Sequence, residues 1–310
     1  MPIDPEPTSW IDDEDLDILI FIARVGRVLA RHVQALFFPD LTLDAVRKRL
    51  RRHLRSGLLA GAAYSENPPR ALRGKQPPRH LGKVYLLTPA GIAQIRKHFP
   101  TLQLAYEKVI VRDEAITHQA QHQVEYADLI VQVLRVLPTV PGAIGINSSA
   151  EMELGAARVP RCDGFLVVRR WMDSARLRPR DGEESIHWLV DEKLPGQVDR
   201  TFAIEIDRKT EARSVIMEKA RSYLAVYQSG WWQGRYQFPL PVFVVPDAYR
   251  QEAVLTEWQA GWPSCPIMIT TKPELDAHGL DAPIWIEKVR DQRRLRTFFD
   301  RWLEPTLEES

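Results

Sequence analysis

The chain has 310 residues, 45% of them apolar and 27% charged, a balance that suits two globular domains, and it holds no apolar run approaching a membrane span. Its formal net charge of +1 conceals a division: residues 1–100 carry 16 Lys+Arg against 10 Asp+Glu, and residues 101–310 carry 26 against 31. Seven of those ten acids precede Leu19, so the N-terminal part is strongly basic beyond that point, as a nucleic-acid-binding domain would be.

The opening segment MPIDPEPTSW is acidic and proline-bearing, unlike a secretory signal, and a cytoplasmic protein with no membrane partner is expected. Residues 13–24 start acidic and turn apolar at helical spacing through Leu16, Leu19, Ile20 and Ala23, with Gly26 as a stop. Residues 28–37 read as a second helix closed by Pro39. Thr42 is an N-cap for a third helix, ended by Gly57, on which Leu43, Val46, Leu50 and Leu54 form one apolar stripe. Arg47, Lys48, Arg49, Arg51, Arg52 and Arg55 fill its other faces.

Leu58-Leu59-Ala60 begins a strand, residues 65–82 make a long loop, and Lys83-Val84-Tyr85-Leu86-Leu87 returns as a strand before a helix from Thr88 to about His98. Arg70, Arg73, Lys75 and Arg79 stand in that loop, with no acid from Asn67 onward. Three helices followed by a basic hairpin match a winged helix-turn-helix, whose third helix enters the major groove of double-stranded DNA. The candidate DNA-binding residues are therefore Arg47, Lys48, Arg51, Arg52, Arg55, Arg70, Arg73, Lys75 and Arg79. The plainer alternative is a solvated amphipathic helix beside a loop.

Residues 101–113 read as a linker, separating a DNA-binding domain at 1–100 from a second domain at 114–310. Residues 114–137 read as one long helix; His118 and His122 lie four apart on it, with Asp128 nearby, but lack the glutamate of a metalloprotease helix and read as a polar helix start. Asp163-Gly164 leads a strand through Val168, and residues 172–200 form a charged excursion with a short strand at 188–190. A strand at 202–207, a helix at 211–228, a strand at 242–245, a helix at 248–260, strands at 267–269 and 284–286 and a last helix at 289–303 complete an α/β sheet domain. There is no internal repeat, glycine-rich phosphate loop, nucleophile elbow or zinc-finger spacing.

The stretch FAIEIDRKTEARSVIMEKARSY, Phe202 to Tyr223, concentrates chemistry. Glu205, Asp207 and Lys209 alternate on a strand, so they share a face; Lys219 and Tyr223 lie four apart on the next helix. Carboxylates on rigid strands beside a lysine are what magnesium-dependent phosphodiester cleavage needs, because Mg²⁺ takes oxygen ligands and a cation steadies charge on the phosphate. Asp163 and Glu205 can meet at one sheet edge, with Lys209 or Lys219 supplying the cation. An ion network that merely stabilises that edge is the alternative.

The order Asp163-Gly164, Glu205-Ile206-Asp207 and Lys219 resembles the PD-(D/E)XK nuclease superfamily. More closely, the chain resembles the replication-relaxation family of bacteria, in which a winged helix is joined to such a nuclease-like domain. The resemblance is carried by Val84-Tyr85-Leu86-Leu87-Thr88-Pro89-Ala90-Gly91, His122 to Asp128, Ser149-Ala150-Glu151, Asp163-Gly164, and Phe202 to Glu211 with Lys219 and Tyr223. It implies a plasmid or mobile-element protein acting in DNA replication, relaxation or mobilisation by metal-dependent nicking, or else a non-catalytic DNA-binding regulator with a degenerate nuclease fold used for assembly. It also implies Glu151, Asp163, Glu205 and Asp207 as Mg²⁺ ligands, and partner proteins of the same element. Taking Glu205 as the motif acid puts Asp207 where the superfamily has lysine; taking Asp207 restores Asp207-Arg208-Lys209, and Lys219 is the alternative cation. A homodimer reading paired half-sites would suit the winged helix.

Overall fold

The structure is a computed structural model that describes residues 11–66, 79–100, 118–150, 162–171, 193–208, 212–230, 232–233, 237–289 and 292–299. The chain divides into two compact units, Met1–Val131 and Gln132–Ser310. The expected linker at 101–113 and the expected strand at 188–190 lie outside the described residues.

The first unit holds α1 (Asp13–Val25), β1 (Val28–Leu29), α2 (Ala30–Phe37), α3 (Leu43–Arg55), β2 (Leu59–Glu66), β3 (Arg79–Leu87), α4 (Pro89–His98) and most of α5 (His118–Val136). Local chemistry sets the helix starts. Asp12 caps α1 by accepting from Asp15 N at 2.8 Å, and Thr42 caps α3 by accepting from Ala45 N at 3.3 Å. Thr88 caps α4 ahead of Pro89, and its hydroxyl also donates to Gly57 O at 2.6 Å, tying the start of α4 to the end of α3.

The strands form an antiparallel sheet in the order β1-β3-β2. The expected helix over 28–37 gives its first two residues to β1, where Val28 pairs with Tyr85, and starts at Ala30. The β2–β3 hairpin is longer than expected: Tyr64 faces Gly82, and the pairing runs on to Glu66 and Arg79. Leu29, Tyr64, Val84 and Leu86 pack with Val124 of α5, so the apolar face of this small sheet is closed by α5.

The second unit adds β4 (Ala143–Ala150), β5 (Gly164–Trp171), β6 (Gln197–Ile206), α6 (Arg213–Ser229), β7 (Leu240–Val245), α7 (Ala248–Gly261), β8 (Ile267–Thr271), α8 (Lys272–His278), β9 (Trp285–Val289) and β10 (Gln292–Arg296). They build a mixed seven-stranded sheet, ordered β10-β9-β8-β7-β6-β5-β4, in which β6, β7 and β8 are parallel and the flanking pairs antiparallel. The nearly unbroken apolar runs of β7 and β8 are those of strands covered on both faces.

Phe165, Ala203, Phe243, Val245, Ile267 and Ile269 meet Ile216, Ala220 and Tyr223 of α6 and Val254, Leu255 and Trp258 of α7. The other face takes Phe298, whose ring lies 5.0 Å from Phe202 and 5.2 Å from Trp285. The two helices approach closely at Gly261, where a Cβ would come within 2.5 Å of Met217 O and 2.7 Å of the Ala220 Cβ.

One expected element is corrected. In place of the start of a helix over 289–303, residues 292–296 form the edge strand β10, pairing Gln292 with Val289 and Arg296 with Trp285. The open ladder of β9 and the ion pairs Arg293–Glu252 and Arg296–Glu287 outweigh the helical preference of an arginine-rich segment.

Candidate functional site

In the first unit, Val46 and Leu50 of α3 are fully buried, and Leu43 and Leu54 are half-buried, as the stripe predicts. Arg47, Lys48, Arg51, Arg52 and Arg55 are exposed. Arg47 reaches the hairpin, its Nη2 lying 3.9 Å from where a Cβ on Gly82 would sit. Arg47 and Arg51 also act on Tyr85: burial raises the phenol above its ordinary range and the two guanidiniums oppose that rise. The charged face of α3 and strand β3 therefore form one basic surface. Arg70, Arg73 and Lys75 lie outside the described residues; Arg79 opens β3 opposite Glu66, and its side chain is outside the description.

Arg49 has a different role from its neighbours. It donates to Asp15 (2.8 Å), Glu14 (2.9 Å) and Asp12 (2.7 Å) at the start of α1, and its guanidinium lies 4.8 Å from the Phe38 ring centroid. His53, fully buried, binds the same Asp15 at 3.0 Å. Burial works against the Asp15 carboxylate, but the hydrogen bonds of His53 and Arg49 prevail and bring it down to about 2. Asp128 is likewise an anchor: Arg31 grips both its oxygens at 2.9 Å, and His32 Nε2 lies 2.9 Å from Oδ1 while His32 Nδ1 accepts from Leu29 N. That bond assigns the ring proton to Nε2.

In the second unit, β5 and β6 bring two of the expected acids to one edge. Asp163, immediately before β5, accepts from Ile206 N at 2.7 Å through Oδ2. Glu205, 1% exposed, points from β6 toward α6. Lys219 Nζ donates to its Oε2 at 2.9 Å and the Tyr223 hydroxyl to its Oε1 at 2.8 Å. Burial raises the Glu205 carboxyl from an ordinary 4.5 to about 7; Lys219 opposes the rise and Asp163 adds to it. The buried Cys162 thiol is pushed well above its usual range by burial and then by Glu205 and Asp163, so it belongs to the same charged neighbourhood.

Asp207 shares the face of Glu205 but has another partner. Arg250 Nε of α7 donates to its Oδ2, both side chains being buried. Thus Asp163, Glu205 and Lys219 converge, Asp207 is drawn to α7, and Glu151 and Lys209 lie outside the described residues. Among the described residues no group of three or more His, Cys, Asp or Glu forms a metal cluster. The donor chemistry nevertheless fits Mg²⁺, which is held by one or two carboxylates and keeps several waters. Among the described residues each oxygen of Glu205 has one protein donor, leaving lone-pair capacity on both.

The replication-relaxation family pattern matches residues 19–240. The chain belongs to that family. Membership points to a role in the replication or relaxation of plasmid or mobile-element DNA. Neither the curated proteins nor the solved structures yield a match. The replication-relaxation match takes in α3, Asp163, Glu205, Asp207, Lys219 and Tyr223, and stops before α7, so Arg250 lies beyond it. Among the described residues no helix is long and apolar enough to cross a membrane.

Three residues at this edge are given no role in the site from sequence. Tyr223 carried a signal, its four-residue spacing from Lys219. Cys162 and Arg250 carried none: the first is a buried thiol beside Asp163, and the second pairs with a residue 43 positions away.

Proposed function

We propose that the protein binds double-stranded DNA through a winged helix-turn-helix in its first unit and nicks or cleaves it with Mg²⁺ at a PD-(D/E)XK-like edge in its second. The first part rests on the five exposed cations of α3 beside the hairpin. The second rests on one observation: Asp163, just ahead of β5, the buried Glu205 of β6 and Lys219 of α6 meet at one sheet edge in a hydrogen-bonded arrangement. Asp163 and Glu205 would hold the ion, which supplies an activated water and neutralises charge building on the phosphate. Lys219 Nζ lies 2.9 Å from the same carboxylate and would supply a cation where phosphate charge develops. Ile206 N–H and the Tyr223 hydroxyl fix the two carboxylates, so neither must be ordered when DNA arrives. Two copies on paired half-sites, together with partner proteins of the same element, would complete the assembly.

The test is supercoiled plasmid incubated with the full chain and Mg²⁺ or Mn²⁺. Open-circle product is expected from the wild type and not from Asp163→Ala. Intact plasmid with the wild type, or equal nicking by Asp163→Ala, overturns the catalytic part. A second reading, a non-catalytic regulator with a degenerate nuclease fold, is favoured by the internal pairing of both Glu205 oxygens and of Asp207. It predicts DNA binding with no nicking under any divalent ion.

A further inference from the structure

The parallel strands β6 and β7 both run into helices at their carboxyl ends, and the first turns of those helices carry an exposed pair. Arg213 opens α6, and Tyr249 is the second residue of α7. Arg213 Nη2 donates to the Tyr249 hydroxyl at 2.9 Å, with the guanidinium carbon 5.9 Å from the ring centroid. Tyr249 is 67% exposed, far more than any other aromatic among the described residues with a large exposed ring, Tyr227 being 44% exposed. The next residue, Arg250, is buried and bound to Asp207, which fixes the Tyr249 backbone at the edge that carries Glu205 and Asp207.

An aromatic ring left this open keeps apolar area in water, and the bond to Arg213 holds the far end of the ring in one place. A pinned ring has little side-chain freedom left to lose when something stacks on it. An aromatic face flanked by a guanidinium suits a nucleobase on the ring and its phosphate at the cation. Paired bases inside a duplex do not offer their faces, so the feature selects an unpaired nucleotide.

We propose that Arg213 and Tyr249 form a stacking platform for an unpaired nucleotide of a DNA strand led to the Asp163–Glu205 edge. The destination of the strand rests on the nuclease reading above; the platform itself is tested by binding. The probes are a short fluorescent oligothymidylate and a blunt duplex of the same length, titrated against the full chain and against Tyr249→Ala, Tyr249→Phe and Arg213→Ala.

Tyr249→Ala is expected to weaken single-strand binding about tenfold or more, the scale of one lost base–aromatic stack, and to leave duplex binding unchanged. Tyr249→Phe keeps the stacking face and is expected to lose only a small part of that affinity, and Arg213→Ala an intermediate part. In the wild type, a bromodeoxyuridine-bearing oligonucleotide is expected to photo-crosslink to the peptide containing Tyr249. Unchanged single-strand affinity in Tyr249→Ala, an equal loss on duplex and single strand, or crosslinks only elsewhere overturns the platform. Plasmid left intact by the wild type while the Tyr249 effect persists removes the nuclease reading and leaves the platform standing; nicking without the Tyr249 effect does the reverse.

Discussion

Along α3, five cations are exposed with the hairpin beside them, whereas at the end of β6 two carboxylates are buried against Lys219 and Arg250. Both regions concentrate charge on one element, yet they meet opposite requirements. An exposed arginine is already hydrated and gives up little when a phosphate arrives. A buried carboxylate must be matched inside the fold before anything binds, or folding is penalised. The surface charges of α3 are therefore replaceable at small cost to the fold, while those around Glu205 are part of it.

That contrast is broken most forcefully at Lys219. Lys219→Met leaves Glu205 buried without its cation and is expected to cost about 3–5 kcal/mol of stability in urea melts near pH 8. The sign follows from the raised carboxyl. Glu205, at about 7 in the folded chain, lies above its ordinary 4.5, so its penalty is absent below the lower value and grows as pH rises through the higher one. Loss of the lysine pushes the folded value further up, so the deficit of the variant should shrink at pH 5. An equal deficit at both pH values would show that lost packing, and not the unpaired charge, dominates.

On α3 the same kind of surgery should spare the fold and weaken the ligand. Arg47→Ala, Arg51→Ala and Arg52→Ala together are expected to lower duplex affinity by about 3 kcal/mol, roughly a hundredfold, at about 1 kcal/mol per charge-assisted contact. The slope of log affinity against log salt should fall by nearly three, at about 0.9 per phosphate contact. Stability should change by no more than about 0.5 kcal/mol per site. Unchanged affinity would remove α3 from the interface.

A smaller effect sharpens the comparison within the first unit, where Arg49 and His53 of the same helix face inward. Asp15→Asn is expected to cost about 2 kcal/mol, the value of lowering a carboxyl from 3.8 to about 2. A depressed carboxyl contributes its full stability above 3.8 and loses it as pH falls through about 2, so the wild type should weaken across that interval and the variant should not. Melting temperatures from pH 5 to pH 2 measure the difference.

Much of this was legible in local pattern. The stripe of Leu43, Val46, Leu50 and Leu54 predicted the buried face of α3, and the placement of Glu205 ahead of Lys219 and Tyr223 predicted a strand and helix with facing charges. What escaped was the choice among chemically identical residues. Arg49 sits in a run of arginines, and only the arrival of the acidic first turn of α1 beside it makes it a clamp. Asp207 looked like a second partner for the Glu205 site until Arg250, on a helix that follows the next strand, took it. β10 read as helix because its five residues have no apolar alternation; its pairing is dictated by the edge of β9, not by its own sequence. Pairings between distant segments leave no periodic trace in either partner.

The close approach of α6 and α7 at Gly261 reaches further than the core it closes. Gly261 rests against Met217 and Ala220, the residues on either side of the turn that carries Lys219. The depth at which that turn seats is thus gauged by the absence of one methyl group on the opposite helix, at the far end of α7 from Arg250. A single added carbon there would act as a shim: it would lift the turn and draw the ammonium of Lys219 off Glu205 without touching either charged residue. The working tolerance of the edge is held by clearance as much as by bonds.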